Sequence, residues 1–586
     1  MTVSNTNSQT ATEGTDYDAV VVGAGFSGLY QLHRLRDELG LSVKVIEKAD
    51  DVGGTWYWNR YPGARCDSES HIYCYSFNEG IMEEWQWSER YPEQPEVLEY
   101  LRFVADNLDL RKDIEFETEV TSATFEEETG TWVIETDDGE TVSSQFFITA
   151  VGCLSTPYVP DFDDIDAYEG ETYHTGKWPH DGVDFDDKRV AVIGTGASGI
   201  QVIPEVGKED IEHLTVFQRT PNYAVPARNS PLDDETWAEI QRNYEEIMAD
   251  AHDDRAGFPF DSIRQTAEDL TMEEVEEILE PRWKEGGWRF LAAFEDLLIN
   301  RDTNEKISQY LREKIREAVD DPETAEKLVP TDHYYGTKRP PLHTDYYATF
   351  NEDYVSLVDV TETPIERFTP KGIQTGDGQV HEFDMVIFAT GFDAMTGTLL
   401  QMDIEGRNGV TLDEKWADGP NTYLGLGVHG FPNMFTVTGP QSPSVLSNMP
   451  VPIEHHVEWI SGTIADLREE GTRYIEPTRA AEEDWTEHNM DLAEQTLYTT
   501  VDSWYMNENI PDKPTVFTPY PGGVDMYHDI IREVKEKGYE GYMLANSLDD
   551  LGQAGDTPDL SIFEVMEMLH ADPDMDLTDL MEMTAD

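Results

Sequence analysis

Three observations predict an α/β fold with two Rossmann-like dinucleotide-binding domains and a helical insertion. A short β-branched run, Asp18–Gly23, ends in the glycine box Gly23-Ala24-Gly25-Phe26-Ser27-Gly28. A second run, Arg189–Gly194, ends in Gly194-Thr195-Gly196-Ala197-Ser198-Gly199. The stretch 223–334 reads instead as acidic amphipathic helices, with Met272–Glu280 an example. In a strand–box–helix unit the first glycine permits a tight turn and the second lets backbone approach a pyrophosphate. The third lets helix and strand pack closely. Two such units imply two dinucleotides, and so redox traffic between them.

The first box runs into Leu29–Leu35, whose apolar spacing is helical, so a diphosphate would meet unpaired N–H groups at a helix N-terminus. The next strand, Val43–Glu47, ends in an acid suited to accepting ribose hydroxyls, and Lys48 after it is expected in the same nucleotide site. The strand after the second box, Leu214–Thr220, ends without an acid and offers Arg219 and Thr220. An arginine there pairs bidentately with a 2′-phosphate that a carboxylate would repel, which favours NADPH over NADH. The competing reading is that Arg219 pairs with surface carboxylates, which are plentiful. Farther on, Phe383–Phe392 reads as a buried strand entering a glycine turn at Thr390-Gly391.

At 586 residues the chain has room for two or three domains. It carries 41 Lys+Arg against 120 Asp+Glu, a net charge of −79, yet its 13 Trp, 27 Tyr and 23 Phe can fill cores. The acids are spread along the whole length. A halophilic surface is expected, screened by molar salt at a Debye length of about 3 Å. Nucleic acid and anionic membranes are poor partners for it. Cys66, Cys74 and Cys153 form no C-x-x-C pair, which excludes dithiol flavoprotein reductases, and no metal site is expected, at His455-His456 or elsewhere. With neither a secretory start nor a spanning apolar run, a cytoplasmic protein is expected, as a monomer or small homo-oligomer.

Tyr168-Glu-Gly170-Glu-Thr-Tyr-His174-Thr-Gly-Lys-Trp178-Pro179 resembles the signature of type I Baeyer–Villiger monooxygenases, F-x-G-x-x-x-H-x-x-x-W-P, with Tyr168 in place of Phe. Gly53-Gly54-Thr55-Trp56 through Tyr61-Pro62-Gly63 to Asp67 resembles that family's second motif, G-G-x-W-x-x-x-x-Y-P-G-x-x-x-D. Asp384–Gly391 is similar to the linker D-x-V-I-x-A-T-G of two-dinucleotide flavoproteins. Further runs, among them Phe217–Pro221, Gly336–Arg339 and Ser442–Met449, resemble the phenylacetone-oxidising branch of the family, over about residues 17 to 544.

The resemblance implies FAD on the first box and NADPH on the second, with ketone and O2 as the other reactants. It adds Gly54, Thr55, Trp56, Tyr61 and Asp67 to the FAD site, and Lys338 as a second cation for the NADPH phosphate. It implies that a peroxide formed at the flavin C4a carbon attacks a ketone, aryl or cyclic, to give an ester or lactone. Arg339, always charged, would stabilise the developing anions, and Asp67 would pair with it and orient it. His174, with Gly170, Trp178 and Pro179, would lie at a hinge between the nucleotide domains. Cys153, Leu154, Ser444, Val445, Leu446 and Met449 would line the substrate pocket, Cys153 standing where a longer polar side chain is expected. Two alternatives remain open at this stage: oxygenation of sulfur or nitrogen by a related flavin monooxygenase, and a redox-silent nucleotide-binding regulator.

The expected division is a disordered 1–16; an FAD domain from 17–155 and 385–545; an NADPH domain from 156–222 and 335–384; the insertion 223–334; and an acidic extension 546–586. The extension has apolar residues at helical spacing, Ile562, Val565, Met566 and Leu569, open to docking on its own chain or on a partner.

Overall fold

A computed structural model describes residues 14–260 and 265–551. The chain begins with β1 (Tyr17–Val22), α1 (Phe26–His33), β2 (Val43–Ile46), α2 (Thr55–Trp58), α3 (Glu79–Glu84) and α4 (Gln94–Asn107). It continues through β3 (Ile114–Glu115), β4 (Val120–Glu126), β5 (Thr131–Thr136) and β6 (Thr141–Thr149). β1 lies between β2 and β6, parallel to both, with Val21 opposite Val45 and Ile148. Ala19, Val20 and Val21 are fully buried, so both faces of this strand need apolar side chains and no polar alternation appears. β4 and β5 extend the sheet antiparallel beyond β6.

A second sheet follows. It is built from β7 (Glu171–His174), β8 (Arg189–Ile193), α5 (Ala197–Lys208) and β9 (His213–Gln218). β10 (Val225–Pro226) then leads into the helices α6 (Asp234–Arg242), α7 (Tyr244–His252), α8 (Met272–Glu285), α9 (Arg301–Ala318) and α10 (Pro322–Leu328). Thr271 starts α8 with a capping box to Glu274, and only Val275 and Leu279 of that helix are buried, so its acidic face is solvated. The chain leaves this helical region through β11 (Leu342–His343), which pairs parallel with β10. β12 (Val355–Asp359), the antiparallel β13 (Ile365–Thr369), β14 (Gly372–Thr375) and β15 (Val380–Glu382), and finally β16 (Met385–Phe388) complete this half. The order β12-β9-β8-β16-β7 is parallel throughout.

That order corrects one expected boundary. A return to the first domain at residue 385 is ruled out because Met385–Phe388 hydrogen-bonds between β8 and β7, inside the second sheet. The chain rejoins the first sheet only at β17 (Asp403–Glu405), beside β4, and β18 (Met434–Thr436), beside β6. The motif around Asp384–Gly391 is therefore the exit from the second sheet. The long helix Pro450–Glu470 then covers α1, where Tyr30 and Gln31 donate to Glu458 and Ser461, each at 3.0 Å.

At the N-terminus, Asp16 was expected in a disordered segment. It instead accepts from the Ser143 hydroxyl at 2.7 Å and tethers the entry to β1. The apolar positions expected at Ile562–Leu569 lie outside the described residues. Among the described residues, no helix is long and apolar enough to cross a membrane.

Candidate active site

The first glycine turn is shaped by backbone contact. Gly23 takes φ +104°, and a Cβ there would come within 2.5 Å of Ala150 O; one on Gly28 would collide with Gly23 O. A Cβ on Gly25 would approach Gly54 Cα at 3.3 Å, so two bare backbones face one another where α1 and α2 begin. Phe26 and Ser27 are buried in the first turn of α1. Glu47 does more than the sequence implied. Its carboxylate accepts from Ala24 N at 2.7 Å and Ala49 N at 2.8 Å, so it braces the glycine loop from beneath while burial pushes its pKa up. Lys48 does not turn toward the loop; its ammonium pairs with Glu119 at the surface. Thr55 is exposed at the start of α2, and Trp56, buried, donates to Tyr73 at 3.2 Å.

The second turn repeats this geometry. Gly194 takes φ +114°, and a Cβ on Gly199 would collide with Gly194 O. A Cβ on Gly196 would meet nothing within 4 Å, which leaves open space over the N-terminus of α5 beside Ser198. Thr195 donates to Thr220 O at 3.0 Å and so ties the box to the end of β9. Arg219 is exposed there, and its charge, with burial as the larger cause, holds Lys338 below the ordinary lysine pKa. The β10–β11 pairing brings these distant cations together, and Asn222 adds a hydrogen bond to Arg339 O at 3.3 Å. Two bare-backbone cradles at helix N-termini, one with a pair of cations beside it, fit a flavin dinucleotide and a 2′-phosphorylated nicotinamide dinucleotide.

Arg339 lies at the seam of the two halves, its Nη1 donating to Val445 O at 3.0 Å. Asp67 is half-buried nearby. Burial pushes its carboxyl up to about 6, against the opposing pull of Arg339, Leu342 N–H, Arg65 and Gln201. The expected Asp67–Arg339 ion pair is not closed: the two interact through space without a contact at salt-bridge distance. The groups that pull on Asp67 from across the seam are Gln201 of α5 and the Leu342 N–H of β11, facing the loop that carries it. Gln201, which sequence reasoning passed over, is the bridge. Its Oε1 accepts from Tyr61 at 2.7 Å and its Nε2 donates to Arg65 O at 3.1 Å. The available signal was a lone amide amid Gly199-Ile200 and Val202-Ile203.

Cys153, Leu154, Val445, Leu446 and Met449 converge in one apolar cluster with Met395, Tyr498, Tyr505 and Phe517, and the Ser444 hydroxyl lies 3.9 Å from Met395 Sδ. Burial lifts the Cys153 thiol to about 11, so it is a neutral wall. His174 ends β7: its Nδ1 accepts from Gly176 N at 2.9 Å and its Nε2 faces Tyr158 O at 3.3 Å and Thr390 at 3.5 Å. Burial lowers its pKa, which keeps it neutral. Gly170 has no room for a Cβ between Tyr168 and Asp384 O. Trp178 is buried against Phe185, and past the half-buried Pro179, His180 meets the Tyr57 ring at 5.0 Å, so this run touches the first domain.

A family model described as flavin-binding monooxygenase-like matches residues 17–224. A Baeyer-Villiger monooxygenase of Pseudooceanicola batsensis is 44% identical over 532 residues, 90% of this chain and 96% of that protein. The chain belongs to the Baeyer–Villiger monooxygenases. It is an NADPH- and FAD-dependent enzyme that uses O2 to convert ketones to esters or lactones. A solved structure of an oxidized steroid monooxygenase bound to NADP superposes with a TM-score of 0.86 at 48% identity, covering 91% of this chain and 100% of that one. The phenazine N-monooxygenase PhzNO1 of Lysobacter antibioticus is 43% identical over 90% of this chain and 97% of its own length.

Proposed function

We propose that Arg339 and Asp67 carry the Baeyer–Villiger reaction at the seam, with FAD held on the first glycine turn and NADPH on the second. Bound FAD, reduced by NADPH, supplies the activation of O2 that side chains lack. Arg339 supplies a permanent, planar positive charge for the oxyanion that develops as the ketone carbon becomes tetrahedral. Ionised Asp67 orients that charge through space. Arg219 and Lys338 read the 2′-phosphate, and neutral His174 fastens the end of β7 to Tyr158 and Thr390, where the chain passes between domains.

The observation that carries this reading is the hydrogen bond from Arg339 to Val445 O, which sets the guanidinium at the edge of the apolar cluster. Aromatic walls from Tyr498, Tyr505 and Phe517 support an aryl or cyclic ketone as substrate. The test is incubation of the holoenzyme with NADPH and 18O2 in molar KCl, offering an aryl ketone, a cyclic ketone and an acyclic alkyl ketone. Label in the ester from the first two, at higher kcat/KM than the third, is expected; preference for the acyclic ketone overturns the substrate class. The similarity to a phenazine N-monooxygenase favours one second reading, oxygenation of an aromatic ring nitrogen, and phenazine joins the panel for that reason. We also place the enzyme in the cytoplasm, a reading supported by three buried, unpaired cysteines.

A further inference from the structure

We propose that Trp288, from the helical insertion, is a positioning residue that sets the plane of the Arg339 guanidinium. The inference rests on Arg339 being the group that stabilises the substrate oxyanion. Arg339 Cζ lies 4.5 Å from the centroid of the Trp288 ring, while Nη1 donates to Val445 O. One contact holds the cation by its face and the other by an edge, so rotating the guanidinium breaks at least one of them. Among the described residues no carboxylate closes on Arg339, and the indole does what an ion pair would otherwise do. The difference matters chemically. An aromatic face attracts the cation without neutralising it, which leaves the positive charge available to an anion.

Trp288 is itself held firmly. It is 8% exposed and meets Phe258 edge-on at 5.0 Å. Gly286 and Gly287 precede it at φ +72° and +78°, and Gly287 N donates to Pro226 O at 3.0 Å. A side chain on Gly287 would collide with the Tyr91 hydroxyl, so this approach requires glycine. The next residue, Arg289, pairs with Glu69, which also receives Arg90 at 2.8 Å. Glu69 stands two residues beyond Asp67. Gly286–Arg289 thus touches both partners' segments, Arg339 through Trp288 and the Asp67 segment through Arg289.

The test compares Trp288→Phe, which keeps an aromatic face, with Trp288→Leu, which keeps bulk only. The readout is ester and hydrogen peroxide formed per NADPH by the FAD-loaded enzyme, with Arg339→Ala as reference. Trp288→Leu is expected to lower ester per NADPH about three- to tenfold, with peroxide rising to match, while Trp288→Phe stays closer to wild type. The Leu substitution should cost much less when combined with Arg339→Lys, because a compact ammonium has no plane to set. Wild-type coupling in Trp288→Leu overturns the proposal, as do equal losses in Leu and Phe variants that persist undiminished beside Arg339→Lys. If Trp288→Leu does not fold, Trp288→Phe decides with Arg339→Lys: a loss that shrinks in the double variant supports the proposal, and an additive loss overturns it. Full ester yield from Arg339→Ala would instead sink the underlying assignment of Arg339.

Discussion

Tyr61 and Gln201 join the two dinucleotide folds: the phenol of one donates to the amide oxygen of the other at 2.7 Å, across the seam. Gly63 makes the approach possible. It takes φ +82°, and a Cβ there would come within 2.5 Å of Gln201 O. Gly63→Ala therefore adds a collision with α5 to the backbone strain, about 1 kcal/mol, that any such glycine incurs. Gly182→Ala, at φ +78° with nothing within 4 Å, is the control with strain alone. Thermal unfolding should show the Gly63 variant several degrees below the Gly182 variant; equal melting temperatures would mean the seam yields freely.

Arg339→Ala should abolish ester formation and leave reduction of FAD by NADPH in place, since in its proposed role the guanidinium acts on charge that develops after reduction. Stopped-flow reduction with product analysis decides this. Full ester production by the variant would remove Arg339 from its role.

Arg219→Ala should raise the KM for NADPH about 10- to 100-fold and leave that for NADH within a few-fold. It deletes a charge-assisted contact, about 1.5–3 kcal/mol, to a phosphate that NADH lacks. Lys338→Ala should move in the same direction, because the charge of Arg219 is felt at Lys338 and both are proposed to read the phosphate. Equal losses with both coenzymes would show that neither reads the phosphate.

Asp67 makes a prediction with two signs. Its folded pKa, about 6, lies above its ordinary value, so between pH 4 and 6 the folded chain holds a proton that the unfolded chain has released. The stability this group contributes is complete below pH 4 and is lost as pH rises through 6. In the role proposed for Asp67 the ionised form is the active one, so activity should rise over that same window. Asp67→Asn should flatten the stability change and remove the acid limb of kcat/KM; an unchanged acid limb would assign it to another group.

The surface charge of −79 predicts dependence on salt. At 0.01 M the Debye length is about 30 Å and like charges repel across the whole molecule. Dialysis from molar KCl into dilute buffer should lower the melting temperature and release FAD, followed by flavin fluorescence with free FAD constant. A flat melting temperature across the series would remove the salt adaptation and leave the enzymatic assignment intact.

The glycine boxes were legible because their constraint is local: a turn at φ +104° or +114° accepts glycine from its own backbone geometry, whatever lies far away. The same holds for the β-branched strands behind them and for the helical period of Met272–Glu280. Partners that the fold supplies are not legible in this way: the ammonium of Lys48 follows Glu119, far along the chain. Residue 385 was read as a return to the first domain, because a buried parallel strand looks the same from sequence whichever sheet receives it.

Neighbours in the chain carry the two dinucleotide turns, the lack of an acid at Arg219 and the motifs that resemble Baeyer–Villiger enzymes, so all three are legible without a fold. Long-range packing decided that β16 inserts between β7 and β8, and that Gln201 clasps Tyr61. It also decided that Arg339 rests on Trp288 and Val445 rather than on Asp67. The physical reason is range: backbone strain and hydrophobic period act within a few residues. What neutralises or aims a half-buried charge depends on whichever distant side chains packing brings within a few ångströms.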